Sequence, residues 1–127
     1  AYSTVDVLEA MEQDSGVEAL ELRVDGGAAM NDWLMEFQAG LAGIPVRRPA
    51  LVETTALGAA GLAGLSAGVW SDAVEFGEAL GEARLFQPHP LPPSRDRLMA
   101  GWRRALTAVE AWSEAGELQD LQAMEEE

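Results

Sequence analysis

The run with the most chemical potential is Asp25-Gly26-Gly27-Ala28-Ala29-Met30-Asn31. Two glycines without Cβ atoms let a ligand lie against the backbone, and Asn31 carries both a hydrogen-bond donor and an acceptor. Where such a run joins a strand to a helix, the helix start adds unpaired N–H groups. Those properties suit the base, ribose or phosphate of a nucleotide. The spacing is not G-x-G-x-x-G, so the dinucleotide fingerprint fails, and by spacing alone a glycine pair is more often just a tight turn. For Asp25, a general base or metal ligand competes with a turn aspartate that bonds its own backbone. The turn is favoured, because no second carboxylate stands at a spacing that would put two acids on one face. Asp32 reads as an exposed helical residue. Arg47 and Arg48 could hold a phosphate, yet beside Pro49 they read as surface charge.

The rest of the composition narrows the chemistry by what it lacks. The 127 residues include no cysteine, one histidine and eight basic side chains, all of them arginine. Disulfide frameworks, thiolate metal clusters and cysteine nucleophiles are therefore excluded, as are a phosphate-loop lysine and Schiff-base chemistry. His89 lies between Pro88 and Pro90, which hold it in an extended, solvent-facing loop with no second histidine to complete a metal site. Twenty-two acidic residues give a net charge of -14, and such a chain is repelled by a phosphate backbone, so nucleic acid is not an expected partner. The 48% hydrophobic content argues for a globular chain, one domain or part of a larger one. The uncharged stretch 54–70 is shorter than the roughly 20 residues of a membrane-spanning helix. No membrane insertion is expected.

Hydrophobic spacing supplies the elements that must position the run. Tyr2, Val5, Leu8 and Met11 recur at helical spacing over residues 2–14, up to a C-cap at Gly16. That helix opens without a start signal, as it would in a chain cut from a longer one. Leu20, Leu22 and Val24 alternate with charged residues as in a strand, stopped by Asp25-Gly26-Gly27. Met30, Trp33, Leu34, Phe37 and Leu41 then recur every three or four residues until Gly43, and residues 44–48 read as a second strand. Two strands joined through a helix predict a parallel crossover. Thr54 or Thr55 should cap the next helix, whose Gly58, Gly61, Gly64 and Gly68 suggest close approach of another backbone in a tightly buried soluble helix. A short acidic helix over 72–80, an extended proline-rich connection over 86–93 and a last helix from about Ser94 to Gly116 complete the order. Trp33, Trp102 and Trp112 fall on apolar faces and are expected in the core. Residues 117–127 read as an acidic, flexible tail.

Several strings together resemble the carboxy-terminal part of bacterial glycerol kinases, within the FGGY carbohydrate kinases. They are Leu22-Arg23-Val24-Asp25-Gly26-Gly27-Ala28, Asn31, Leu34-Met35-Glu36-Phe37-Gln38, Pro45-Val46-Arg47-Arg48-Pro49, and Glu53-Thr54-Thr55-Ala56-Leu57-Gly58-Ala59-Ala60 with Leu62-Ala63-Gly64-Leu65. Asp6-Val7-Leu8-Glu9-Ala10-Met11 with Asp14-Ser15-Gly16 is similar to the helix before that strand, and the likeness extends to about residue 112. Residues 86–97 depart from the family, keeping Phe86, Pro88 and Arg95 before Gly101-Trp102. Asp32 and Trp33 stand where asparagine and phenylalanine are common.

The resemblance implies an α/β fragment of an actin/Hsp70-like (ribonuclease H-like) ATPase domain, in the order helix, strand, helix, strand, helices. Residues 1–116 would be part of the carboxy-terminal nucleotide-binding domain. It further implies that Gly26, Gly27 and Asn31 contact the nucleotide, with no catalytic residue and no metal ligand in this stretch. The cofactors implied are ATP/ADP with Mg²⁺. The partners are ATP, and glycerol held by preceding sequence, in a cytoplasmic enzyme whose homo-oligomerisation is left open. The fragment alone would be inactive. Another sugar kinase of the family, acting on xylulose or gluconate, and a stand-alone nucleotide-binding or interaction module are the competing readings.

Overall fold

A computed structural model describes the backbone of residues 1–125 and the side chains of residues 1–113. Helix α1, Tyr2–Ser15, buries Val5 and ends where Gly16 takes a left-handed φ of 69°. The Gly16 N–H donates to the Glu12 carbonyl at 2.8 Å, which satisfies one of the free acceptors of the helix end. The Glu12 side chain then accepts from the Ala19 N–H at 2.9 Å, turning the chain toward the sheet.

Strand β1, Leu22–Arg23, pairs in parallel with β2, Val46–Arg48, with Leu22 opposite Val46. Flanking bonds from Leu22 N–H to Pro45 O and from Val24 N–H to Arg47 O lengthen this short ladder. A 3-10 turn, Gly27–Met30, and helix α2, Asp32–Ala42, form the crossover, which ends at Gly43 with φ 76°. The parallel unit expected from the sequence is thus present. Ala29, Met35, Ala39, Val46 and Phe86 make the core between α2 and the sheet, with Leu22, Val24 and Leu34 packed against them.

Two short helices follow, α3, Thr54–Ser66, and α4, Ala73–Ala79, before strand β3, Arg84–Phe86, pairs antiparallel with the other side of β2. The Asp72 side chain caps α4 by accepting from the N–H groups of Val74 and Glu75. The sheet order is β1-β2-β3. The third strand was not among the expected elements: three residues are too few to show a period, and β3 is defined by pairing across to β2.

Helix α3 corrects two expectations. Neither Thr54 nor Thr55 is its cap; Glu53 occupies that position without a side-chain bond. Nor is the helix tightly buried, since only Gly61 and Gly64 are buried and Leu62 is 73% exposed. What approaches the glycines is not a backbone but two rings. A Cβ at Gly61 would stand 2.6 Å from the Phe76 ring, and one at Gly64 would fall within the Trp70 ring. These rings pack on one another with centroids 4.8 Å apart. Gly58 has nothing above it, and Gly68 lies beyond the helix at φ 72°.

The backbone divides into two compact units, Ala1–Leu91 and Pro92–Glu127. The second contains helix α5, Arg95–Glu125, which runs through Gly116 instead of stopping there. The expected tail, 117–127, falls where the side chains, and at 126 and 127 the backbone too, lie outside the described residues. Trp112 is 78% exposed and Trp33 67%, so neither is the core residue that helical spacing suggested. Trp33 instead stacks on Phe37 at 5.3 Å, and Phe37 meets Tyr2 edge-on at 5.8 Å.

Candidate functional site

Residues 25–31 lie at the carboxyl ends of β1 and β2, the edge at which open α/β sheets bind ligands. The ladder bond from Val24 keeps the chain extended up to Asp25, and the turn begins at Gly26. Gly26 has φ 77° and ψ 177°, a conformation that a Cβ strongly disfavours. Its N–H donates to the Val52 carbonyl at 2.8 Å and its own carbonyl accepts from Ala29 at 3.1 Å. Both polar groups of Gly26 are therefore committed to holding the turn.

Gly27 and Asn31 are placed differently. Gly27 is exposed at the start of the 3-10 turn, and a Cβ built on it would meet nothing within 4 Å. Asn31 is the N-cap of α2, its Oδ1 accepting from the Leu34 N–H at 3.1 Å. That refines the expectation that it offers both donor and acceptor, because the oxygen already serves the helix. The residue is exposed and its Nδ2 group has no protein acceptor among the described residues, which leaves two donors unused.

Asp25 accepts a hydrogen bond from the Thr54 hydroxyl instead of closing a turn on its own backbone, and so links the run to the first residue of α3. A cleft of about 360 Å³ opens beside it, lined by Arg23, Val24, Asp25, Arg47, Pro49, Thr54 and Ala83. A second of about 350 Å³ reaches Asp25, Ala28 and Ala29 from the α2 side. Gly26, Gly27 and Asn31 line neither cleft. Around the first, Arg47 Nε lies 2.7 Å and Arg23 Nε 3.3 Å from the carboxylate of Glu21. The hydrogen bond from Arg47, reinforced by Arg23, holds that carboxyl below the ordinary glutamate value.

The charged cluster behind the turn was not legible as a unit. In the β2–β3 register Arg48 stands directly opposite Arg84, a like-charge pair that would destabilise the ladder if left alone. Asp32 resolves the conflict: its Oδ1 is 2.8 Å from Arg48 Nη1 and its Oδ2 is 2.5 Å from Arg84 Nη1. Both guanidinium groups also lie over the Phe86 ring, at 5.2 and 4.7 Å from its centroid. The Arg48 bond foremost, with Arg84 adding to it, lowers the Asp32 pKa. Arg48 Nη1 donates in addition to the Ala29 carbonyl at 2.7 Å.

Asp32 is helical with its side chain 46% exposed, much as the sequence suggested, but it is ion-paired, and Arg48, with its side chain 12% exposed, is not surface charge. One signal could have found it. In a strand Val46 and Arg48 share a face, and an arginine on the face that carries the core needs a partner.

His89 is exposed, as its prolines predicted. Among the described residues no group of three or more histidine or acidic side chains could hold a metal ion, and no helix is long and apolar enough to cross a membrane.

Comparison with known proteins bears directly on this turn. The model of the FGGY family of carbohydrate kinases, C-terminal domain, matches residues 1–67, which include the whole 25–31 run. Glycerol kinase of Alkaliphilus oremlandii is 51% identical over 118 residues, 93% of this chain and 23% of that protein. Glycerol kinase of Petrotoga mobilis is 51% identical over 114 residues, and glycerol kinase 1 of Clostridium tetani 46% over 115, again with 23% of each relative covered. The chain thus spans just under a quarter of the length of these curated relatives. Among solved structures, Plasmodium falciparum glycerol kinase with ADP superposes with a TM-score of 0.66 at 24% identity, covering 84% of this chain and 22% of that one. Xylulose kinase from Lactobacillus acidophilus does so with a TM-score of 0.52 at 21% identity, covering 72% and 20%. These likenesses bear out the expected actin/ribonuclease H-like α/β class. A turn of this form, in a sequence matched by that family model over more than half its length, has one assignment: the chain belongs to the FGGY family of carbohydrate kinases, whose carboxy-terminal domain residues 1–67 match.

Proposed function

We propose that this chain is the nucleotide-holding part of an ATP:glycerol 3-phosphotransferase, which converts glycerol and ATP to glycerol 3-phosphate and ADP. The observation that carries the reading is the identity of about half of all residues, across 93% of the chain, to a glycerol kinase. The turn supports the role of this part. Gly27 leaves open space above its backbone, and exposed Asn31 keeps two unused donors, a pair suited to an acceptor on a base or ribose. Gly26 acts one step back, by shaping the turn. A fold neighbour, the glycerol kinase of Plasmodium falciparum, was crystallised with ADP, which supports nucleotide use by a protein of this fold.

On this reading residues 1–116 contribute positioning and preceding sequence contributes bond-making. Mg²⁺ would arrive on the phosphates of ATP and neutralise charge on the transferring group. The enzyme would work in the cytoplasm. The test is a coupled assay of the intact protein carrying this chain, with glycerol, xylulose and gluconate offered at equal concentration. ATP-dependent turnover of glycerol far above that of the other two is expected. Preference for xylulose or gluconate would reassign the substrate, and turnover by the purified 127-residue chain alone would overturn the division of labour.

A further inference from the structure

We infer that Arg48 is a positioning residue for Asn31, and that nucleotide affinity in the intact enzyme depends on it although it does not touch the nucleotide. The inference rests on the reading of Asn31 as a nucleotide contact. Its basis is the way one guanidinium nitrogen brackets that residue. Arg48 Nη1 donates to the carbonyl of Ala29, two residues before Asn31, and to the carboxylate of Asp32, one residue after it. Those two contacts, at 2.7 and 2.8 Å, hold the backbone before the cap and the side chain after it from a strand that is itself paired on both edges.

The geometry explains why an arginine stands there. A planar fork with several donors can satisfy a carbonyl and a carboxylate together, whereas a lysine ammonium on a flexible stem would not hold both in one fixed arrangement. Arg84 anchors the other oxygen of Asp32, so the carboxylate cannot swing away, and the Phe86 ring beneath both arginines limits their sideways movement. Asn31 itself is exposed, and among the described residues its side chain is held by the cap bond to Leu34. Without Arg48 the turn keeps its Gly26 to Ala29 and Ala28 to Asn31 backbone bonds, and Asp32 keeps its bond to Arg84, but the Ala29 carbonyl and one Asp32 oxygen lose their donor from β2. The two Nδ2 donors would then have to be ordered by the nucleotide on binding, and affinity falls by that ordering cost.

The experiment uses the intact kinase carrying this chain, as parent, Asn31→Ala, Arg48→Gln and the double variant, with kcat and the KM for ATP and for glycerol measured for each. Each single change is expected to raise the KM for ATP about two- to tenfold, with kcat and the glycerol KM within about twofold. The double variant should fall clearly short of the product of the two single effects, because Arg48 acts through Asn31. If Asn31→Ala leaves the KM for ATP unchanged, the nucleotide reading of the turn fails and this inference with it. If Asn31→Ala raises it while Arg48→Gln does not, or if the double variant shows the full product, the nucleotide reading stands and the positioning role is overturned. Should Arg48→Gln fail to fold, Asp32→Asn takes its place under the same criteria, since it removes the charge that holds Arg48 across the turn and keeps the helix.

Discussion

The surroundings of α2 and those of α3 are held by different kinds of contact. Around α2, side chains of Ala29, Met35, Ala39, Val46 and Phe86 are buried against each other, and the Asp32, Arg48 and Arg84 cluster ties turn, helix and two strands together. Around α3 the buried residues are two glycines, covered by Phe76 and Trp70, while Leu62, Val69 and Val74 are each more than 60% exposed. The first region gains from apolar area removed from water on several elements at once. The second gains only what two rings bury on a bare stretch of backbone. The family model matches residues 1–67, which include both helices, so similarity of sequence does not measure how far a segment is stabilised by its own contacts.

The largest expected effect breaks the comparison or upholds it directly. Phe86→Ala empties the α2 core and removes the ring beneath both arginines, and should cost about 3–5 kcal/mol in urea unfolding of the chain. Leu62→Ala on the exposed face of α3 should stay within about 0.5 kcal/mol. Equal losses from the two would mean that the α3 face is covered in solution, and the contrast would be void.

A second pair sharpens the picture inside α3 itself. Gly64→Ala places a methyl group where the Trp70 ring lies and should destabilise by about 1–3 kcal/mol, with altered near-ultraviolet circular dichroism from the displaced ring. Gly58→Ala, six residues earlier with open space above it, should stabilise by about 0.5–1 kcal/mol through helix propensity alone. Effects of the same sign at both positions would refute the assignment of the rings as what holds this helix.

Asn31→Ala should cost about 1 kcal/mol of stability in the isolated chain, because the Leu34 N–H loses its cap. Thermal melts of the variant and the parent check this. No loss would show that Asn31 Oδ1 does not serve the helix and is free for a ligand.

Acid supplies the smallest effect and the last contrast. The carboxyls of Glu21 and Asp32 titrate below their ordinary values because arginines bond to them. A depressed carboxyl contributes stability that is fully present above its unfolded pKa and is lost as pH falls through the folded one. Arginine stays charged throughout, so the carboxyls alone set the window. Asp32→Asn should therefore flatten the fall in melting temperature as pH drops below the ordinary aspartate range, a shallow change because the Asp32 side chain is 46% exposed. A fall as steep as that of the parent would place the acid sensitivity elsewhere.

The fold and the turn were legible to different depths. α1 with its Gly16 cap, the β1–α2–β2 crossover and the Asp72-led α4 all follow from spacing and glycine positions within a few residues of one another. The run containing Gly26, Gly27 and Asn31 was legible for the same reason, since a strand stop, two glycines and a helix start are adjacent in the chain. Its support was not. Arg48 finds Asp32 from 16 residues away, and Arg84 finds it from 52, and no periodicity connects them. Trp33 obeyed helical spacing and is still exposed, because spacing says which residues share a face and not what lies against that face.

By itself, then, the sequence determined the local elements and the chemistry available at the turn, since φ preferences and hydrophobic period act over neighbouring residues. Only the tertiary structure decided which arginine bonds the turn and which lines a cleft. That choice depends on distances in space, set when β2 and β3 pair and bring two like charges face to face with one carboxylate between them.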